Sequence, residues 1–239
     1  MSKDPTQTAR VTLSVADGTS MGALVTRPAD GGPYPALILL QEIFGVNAHI
    51  RSVAARLAEL GYVVIAPDLF HRGAPDYDAG YDDVGPSFTL AMQYKGDQAD
   101  ADIDAAYQWC ASADGVRHDA IGAIGFCMGG KLAFVANARH PLAAAVSFYG
   151  GGLAVDRLHL APSLSGPTLF FWGAQDNYIP ASQRRAITDA LAALEKPHVA
   201  VEFSTTGHGF FCDARGSYDP AAATQAWALT KSFLSLYLG

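Results

Sequence analysis

The chain has 239 residues, of which 50% are hydrophobic and only 16% are charged. A chain this apolar can bury enough surface to offset its ordering entropy, so the composition excludes intrinsic disorder. The formal net charge of −7 argues against nucleic acid or an anionic membrane as a partner, because both require a basic surface on the protein.

The sequence also lacks the marks of export and of membrane insertion. No apolar run approaches the roughly 18 residues of a membrane span, and the polar start lacks the apolar region of a secretory signal.

The three cysteines, Cys110, Cys127 and Cys212, are widely spaced and form neither a disulfide framework nor a zinc motif. We therefore expect a soluble, cytoplasmic monomer or small homo-oligomer without a metal site.

The first predicted elements form a hairpin followed by a buried strand. Val11–Val15 and Met21–Thr26 are predicted strands on either side of Asp17-Gly18, a strong turn signal. Residues 1–9 are expected to be a flexible tail. Ala36–Leu40 is an unbroken apolar run, which predicts a strand covered on both faces, as in a parallel sheet.

A helix and a second buried strand follow. The helix is predicted by apolar residues at helical spacing, and Gly61 stands at its expected C-cap position. These residues are Ile50, Val53, Leu57 and Leu60. Tyr62–Ala66 is then a predicted strand that Pro67 stops. Leu69–Ser87 is rich in Gly, Pro and Asp, so we expect a long loop that walls or covers an active site.

The rest of the chain alternates predicted helices and strands. One helix is predicted over about Met128–Arg139, and three more are predicted by apolar residues at helical spacing. The first of these three carries Ile103, Ala106, Tyr107 and Cys110, and the second carries Ile187, Leu191 and Leu194. The third, at the end of the chain, carries Ala222, Ala226, Leu229, Phe233 and Leu236. Strands are predicted at Ala120–Ile124, Ala143–Phe148, Thr168–Trp172 and Val199–Phe203. This alternation predicts one α/β domain over residues 1–239, with a mainly parallel sheet and helices on both faces.

The most informative motif lies between a predicted strand and a predicted helix. Gly125-Phe126-Cys127-Met128-Gly129 has the form G-x-nucleophile-x-G, with Cys in place of Ser. We expect a turn too sharp for side chains at Gly125 and Gly129. Such a turn brings the Cys127 sulfur to the carboxyl end of the sheet, where a helix N-terminus favours a thiolate. The backbone N–H of Met128 then points at a developing oxyanion.

Two other interpretations of this motif stay open. The spacing from Gly125 to Lys131 also fits a phosphate-binding loop, although Leu132 lacks the hydroxyl that such a loop uses to bind magnesium. Cys127 is equally compatible with a small buried cysteine in a tight turn. The motif alone does not decide between a packing residue and a nucleophile.

A nucleophile in such a turn requires an acid and a base, and they should follow it in that order along the chain. Asp176 comes shortly after the strand that ends at Trp172, and His208 lies between two glycines after the last predicted strand. Ligands and catalytic groups gather at the carboxyl ends of parallel strands. Three suitable residue types in the right order at three strand ends favour a Cys127–His208–Asp176 triad over coincidence.

Glu42 directly follows the predicted strand Ala36–Leu40, an unusual place for a carboxylate. It is either a turn residue or a member of the active site. In the second interpretation, the backbone N–H of Ile43 supplies a second oxyanion donor.

Five motifs together resemble those of the dienelactone hydrolase (carboxymethylenebutenolidase) family. They are Gln41-Glu42-Ile43-Phe44-Gly45-Val46-Asn47, Pro67-Asp68-Leu69-Phe70, Gly125-Phe126-Cys127-Met128-Gly129-Gly130, Gly173-x-x-Asp176 and Gly207-His208-Gly209-Phe210. The resemblance extends from about Gly22 to the C-terminus. It implies an α/β-hydrolase fold, a Cys127–His208–Asp176 triad that needs no cofactor, and a Glu42 that contacts the resting thiol and helps to activate it when substrate arrives.

The sequence departs from this family where the substrate is chosen. Dienelactone hydrolases bind the substrate carboxylate with two arginines, and the position of one of them is Cys212 here. In the family, the second arginine comes from the segment that follows the long loop Leu69–Ser87. This chain has no arginine there, since none occurs between Arg72 and Arg117. Arg72 and Arg215 remain as substitutes, although each is also compatible with a solvated surface residue.

The sequence therefore predicts an enzyme that hydrolyses a lactone or a small carboxylic ester. Tyr149, Phe44 and Arg72 are the residues expected to bind this small-molecule substrate. A general carboxylesterase or thioesterase with the same triad is an alternative, and so is a non-catalytic binding protein on the same scaffold.

Overall fold

A computed structural model describes residues 5–82 and 84–239 of the chain. The chain divides into two compact units, the first ending at Gly122 and the second covering Ala123–Gly239. The division falls inside one strand, β5 (Val116–Phe126), and not in a linker. The single domain expected from the sequence remains a prediction.

The first unit begins with the predicted hairpin, which is longer than the sequence indicates. Strand β1 (Thr6–Ser14) pairs antiparallel with β2 (Ser20–Pro28) over its whole length. The expectation of a flexible tail through residue 9 is wrong for residues 6–9, because they pair with residues 25–28 of β2. The β-branched Thr6 and Thr8 favour this extended backbone. The part of the expected tail at residues 1–4 lies outside the described residues.

Two further strands of the first unit are the buried strands that the sequence predicts. Strand β3 (Tyr34–Leu40) runs parallel to β4 (Val63–Pro67), which pairs antiparallel with β2 on its other side. Every residue from Pro35 to Leu40 is buried, as an unbroken apolar run predicts. The order of the four strands is therefore β1-β2-β4-β3.

Three helices complete the first unit, and the second of them lies partly where the sequence predicts a loop. Helix α1 (Ala48–Glu59) is the predicted helix, whereas α2 (Val84–Gln93) begins inside the segment Leu69–Ser87 that was expected to be a loop. Its apolar side chains Val84, Phe88 and Met92 are exposed, so the pattern lacks the buried stripe that predicts a helix. Helix α3 (Gly96–Ser112) follows, with Cys110 fully buried.

The second unit alternates helices and strands as predicted, and the strands after β5 begin and end within one residue of their predicted bounds. Strand β5 itself begins at Val116, four residues before the predicted start at Ala120. After β5 its elements are α4 (Met128–Arg139), β6 (Ala144–Phe148), the short helical turns Leu153–Arg157 and Leu158–Ser163, β7 (Thr168–Gly173), α5 (Ala181–Ala193), β8 (His198–Phe203) and α6 (Pro220–Leu238). Strands β6, β7 and β8 are parallel and adjacent in that order. Their carboxyl ends therefore lie at one edge of the sheet.

Helices and aromatic side chains cover the strands of the second unit. Helices α4 and α6 both pack against β6. The rings of Phe126, Phe148 and Phe171 form a stacked row, with centroids of neighbouring rings 4.6 Å apart, and Phe211 packs 4.7 Å from Phe148. These aromatic rings therefore pack together near the carboxyl ends of the strands. Within the described ranges, no helix combines the length and apolarity that a bilayer crossing requires.

Candidate active site

Cys127 occupies a strained turn between β5 and α4. Its φ of 53° lies in the left-handed region, which is costly for a residue with a side chain. A hydrogen bond from the backbone N–H of Cys127 to the carbonyl of Phe148, at 3.0 Å, joins the turn to the end of β6. A Cβ on Gly125 would lie 2.0 Å from the carbonyl oxygen of Gly129, and one on Gly130 would lie 2.5 Å from that of Phe148. Gly125 and Gly130 therefore have no room for a side chain, while the same expectation for Gly129 stays a prediction. The turn places Cys127 at the N-cap of α4.

Asp176 and His208 meet at the carboxyl ends of β7 and β8. The Nδ1 atom of His208 lies 2.8 Å from Oδ2 of Asp176, and the backbone N–H of Tyr178 donates to Oδ1 of the same carboxylate at 2.8 Å. The carboxylate is fully buried and the imidazole nearly so. Both carboxylate oxygens thus accept hydrogen bonds, which hold the carboxylate in one orientation towards the imidazole.

The loops that carry these two residues are joined along their backbones. The N–H of Ala174 donates to the carbonyl of Phe203, and that of Gln175 donates to the carbonyl of Thr206, both at 2.9 Å. A Cβ on Gly173 would lie 2.4 Å from the carbonyl oxygen of Thr206. The close approach of the two loops therefore depends on the missing side chain at Gly173.

The surroundings of His208 favour a protonated imidazole, because they raise its pKa. Burial, the largest influence, lowers the pKa of His208, but Cys127 and Asp176 together outweigh burial. The negative charge of the Cys127 sulfur, hydrogen bonds to Cys127 and Asp176, and the charge of Asp176 raise this pKa from 6.5 to about 10. The structure thus brings the sulfur, imidazole and carboxylate together as a connected cluster.

Two tyrosines flank the imidazole of His208. The ring of Tyr149, a residue expected to bind substrate, lies edge-on to the imidazole with a centroid separation of 5.0 Å, and it is fully buried. The ring of Tyr178 lies 5.1 Å away on the exposed surface. Sequence analysis missed Tyr178, and its position two residues after Asp176 is the one signal that could have found it.

Glu42 belongs to a hydrogen-bonded cluster in the first unit. Its buried carboxylate accepts a hydrogen bond at 2.9 Å from the hydroxyl of Tyr81, which in turn accepts one at 3.1 Å from the side chain of Asn47. The ring of Phe44 packs edge-on against Tyr81 at 4.5 Å. Ile43, next to Glu42, is half-buried. Sequence analysis missed Tyr81, because nothing in the loop around it marks a partner for a carboxylate.

Arg72, a predicted substrate ligand, is engaged within the first unit. Its guanidinium donates two hydrogen bonds to the fully buried Asp102, at 2.8 and 2.9 Å, and one to Asp17 at 2.7 Å. Tyr94 donates a further bond to Asp102. Substrate binding by Arg72 remains a prediction, and these contacts count against it.

The other two cysteines differ from Cys127. Cys110 is fully buried in α3, and burial raises the pKa of its thiol to about 12. Cys110 is therefore a core residue. Cys212, at the position where the family has a substrate-binding arginine, is also fully buried.

Comparison with known proteins identifies the family of the chain. Residues 21–238 match the family model of the dienelactone hydrolase family. A carboxymethylenebutenolidase from Pseudomonas putida is 32% identical over 94% of this chain and 95% of its own length. A Synechocystis protein provisionally given the same name is 34% identical, over 90% of this chain and 91% of its own.

Solved structures agree with this assignment. A Klebsiella pneumoniae protein, provisionally named a dienelactone hydrolase, has a TM-score of 0.86 and 31% identity, and the match covers 97% of this chain and all of the other. The α/β-hydrolase fold expected from the sequence is thereby confirmed.

Proposed function

Because the chain belongs to the dienelactone hydrolase family, we propose that it hydrolyses a lactone or a small carboxylic ester through Cys127, His208 and Asp176. The observation that carries the proposal is the connected cluster of sulfur, imidazole and buried carboxylate at the ends of parallel strands. Nucleophilic acyl transfer requires a nucleophile paired with an imidazole that a carboxylate orients. Cys127, held at positive φ on a sharp turn, has such a pair of partners in His208 and Asp176.

The proposed reaction has two stages. The Cys127 thiolate attacks the acyl carbon of the ester, and the resulting tetrahedral intermediate collapses to a thioester as the alcohol oxygen leaves with the proton of His208. In the second stage, His208 takes a proton from water, and the hydroxide attacks the thioester. Collapse of this second intermediate releases the carboxylic acid and restores the thiolate. Asp176 keeps the imidazole oriented through both stages.

Three further roles are proposed from the sequence. The backbone N–H groups of Met128 and Ile43 stabilise the oxyanion of the tetrahedral intermediates. Met128 is the first residue of α4, where backbone N–H groups have no acceptor within the helix. Glu42 helps to activate the thiol, the role that the family resemblance implies.

The substrate is proposed to be a neutral ester or lactone. Two observations favour this class over a carboxylate-bearing substrate. Cys212 stands where the family has one of its carboxylate-binding arginines, and the guanidinium of Arg72 is already occupied by Asp102 and Asp17. A panel of lactones, aryl esters and thioesters, with and without a carboxylate, identifies the preferred acyl group.

The decisive test removes the nucleophile. In Cys127→Ala we expect hydrolysis of a p-nitrophenyl ester to fall by at least about a thousandfold, with little change in the thermal unfolding midpoint. Cys110→Ala is the matched control, because it removes a buried cysteine outside the cluster and should retain activity. Full activity in Cys127→Ala would contradict the mechanism.

A second experiment separates an enzyme from a binding protein. Iodoacetamide should alkylate Cys127 rapidly, and replacing His208 with Gln should slow the alkylation, because the imidazolium no longer stabilises the thiolate. An inert Cys127 in the unaltered protein would favour the binding role.

A further inference from the structure

Arg184 is a buried charged residue whose function the proposed reaction leaves unexplained. It lies on α5 and is only 4% exposed. A buried arginine is uncommon, and its desolvation has to be offset by strong partners. The partners of this guanidinium therefore indicate why it is buried.

Two of those partners are backbone carbonyls on either side of Asp176. The Nη1 atom of Arg184 donates to the carbonyl of Ile179 at 2.5 Å and to that of Gly173 at 3.4 Å. Gly173 precedes Asp176 by three residues and Ile179 follows it by three. One guanidinium group thus joins both ends of the loop whose centre carries the carboxylate.

The third partner connects Arg184 to the strand that leads to His208. Its Nε atom donates to Oε2 of Glu202 at 2.7 Å. Glu202 lies on β8, opposite Trp172 of β7 in the parallel pairing, and its side chain is about half exposed. The same guanidinium therefore contacts the acid loop on one side and β8 on the other.

We infer that Arg184 is a positioning residue for Asp176, one that fixes the loop Gly173–Ile179 so that the carboxylate meets His208. The inference rests on the proposed function, because it assumes that Asp176 orients the catalytic imidazole. Arg184 touches neither of these two side chains in the hydrogen bonds described, so it acts through the loop backbone alone. Displacement of a catalytic group by about 1 Å is enough to slow a reaction by up to roughly a hundredfold.

The chemistry of the guanidinium suits this role. A planar group with five N–H donors can satisfy two carbonyls and a carboxylate at once, whereas the ammonium of a lysine is a single point donor on a flexible stem. A lysine at this position would keep the positive charge but lose the planar set of donors. We therefore expect Arg184→Lys to lower kcat, although the charge is unchanged.

The test is a double-mutant cycle between Arg184→Met and Asp176→Asn, with kcat for a p-nitrophenyl ester as the readout. If Arg184 acts through Asp176, Arg184→Met should lower kcat about tenfold in the unaltered protein. In the Asp176→Asn background it should lower kcat less than about twofold, because the carboxylate that it positions is gone.

Two further variants keep the cycle interpretable. Glu202→Gln weakens the ion pair but leaves both carbonyl contacts in place, so kcat should stay within about twofold of the unaltered protein. If Arg184→Met does not fold, as judged by circular dichroism, Arg184→Lys replaces it in the same cycle.

The outcomes distinguish the inference from the function on which it rests. An equal loss of kcat from Arg184→Met in both backgrounds would mean a general structural role and would overturn the inference, while the triad would stand. A fully active Asp176→Asn single variant would instead contradict the proposed function itself.

Discussion

At the scale of single residues, Cys127 and Asp176 raise the pKa of His208 and so favour its protonated form. Removing Cys127 removes the largest of the influences that raise the pKa of His208 from 6.5 to about 10. Between these values the imidazole of the unaltered protein carries a positive charge, and the charge is lost as the pH rises through about 10. The charge on His208 thus depends on an intact cluster.

We therefore expect the pKa of His208 to fall well below about 10 in Cys127→Ala. Burial, which favours the neutral imidazole, then faces only Asp176 as an opposing influence. Titration of the histidine ring signals by NMR measures the shift, and the His208→Gln variant identifies the signal. An unchanged titration in Cys127→Ala would argue against a charged pair between the sulfur and the imidazole.

Gly173 gives a second prediction at this scale. In Gly173→Ala the new Cβ would lie 2.4 Å from the carbonyl oxygen of Thr206 and 2.8 Å from that of Gly207. We expect a loss of about 1–3 kcal/mol in the free energy of unfolding and lower kcat, because the loops of Asp176 and His208 must separate. Urea denaturation and ester hydrolysis measure the two effects.

The control for this variant is Gly151→Ala, which also lies in the second unit. Among the residues that the structure describes, none has an atom within 4 Å of the position that its Cβ would occupy. It should leave both stability and activity nearly unchanged. Equal effects of the two substitutions would show that the contact between the loops does not matter.

At the scale of elements, the sequence predicts the helices and strands whose buried residues recur at a regular spacing or in an unbroken apolar run. Strand β3 is apolar throughout because both faces are covered, and α4 begins directly after Cys127, inside the motif. Helix α2 was missed because its apolar residues Phe88 and Met92 face outward. Periodicity reports burial, so a helix that buries little of its own surface leaves no signal.

The start of α6 supports a prediction about helix capping. The side chain of Asp219 accepts a hydrogen bond from the N–H of Ala222 at 2.9 Å, and Pro220 occupies the first turn. Asp219→Ala should cost about 1 kcal/mol of stability, whereas Asp219→Asn should retain most of it, because asparagine caps helices equally well. Urea denaturation of the two variants checks this, and equal stability of both with the unaltered protein would exclude a contribution from the cap.

At the scale of the whole molecule, the sequence predicts the three residues of the proposed triad better than the residues that hold them. Cys127, Asp176 and His208 could be found because the topology of parallel strands brings successive strand ends together. Tyr81 and Arg184 could not, because their contacts depend on side-chain directions that no motif or periodicity marks. Arg184 has polar neighbours on α5, and its sequence pattern is that of a solvated residue.

The acidic balance of the chain leads to a prediction about substrate charge. A molecule with a formal charge of −7 repels an anionic ester at long range, and salt screens that repulsion. Between about 10 and 300 mM NaCl, kcat/KM should rise by about twofold or more for p-nitrophenyl hydrogen succinate, and it should change little for neutral p-nitrophenyl acetate. A fall with salt for the anionic ester would instead indicate a cation at the site that attracts carboxylates. That result would contradict the proposed preference for neutral substrates, and replacing Arg72 and Arg215 in turn would then identify the residue responsible.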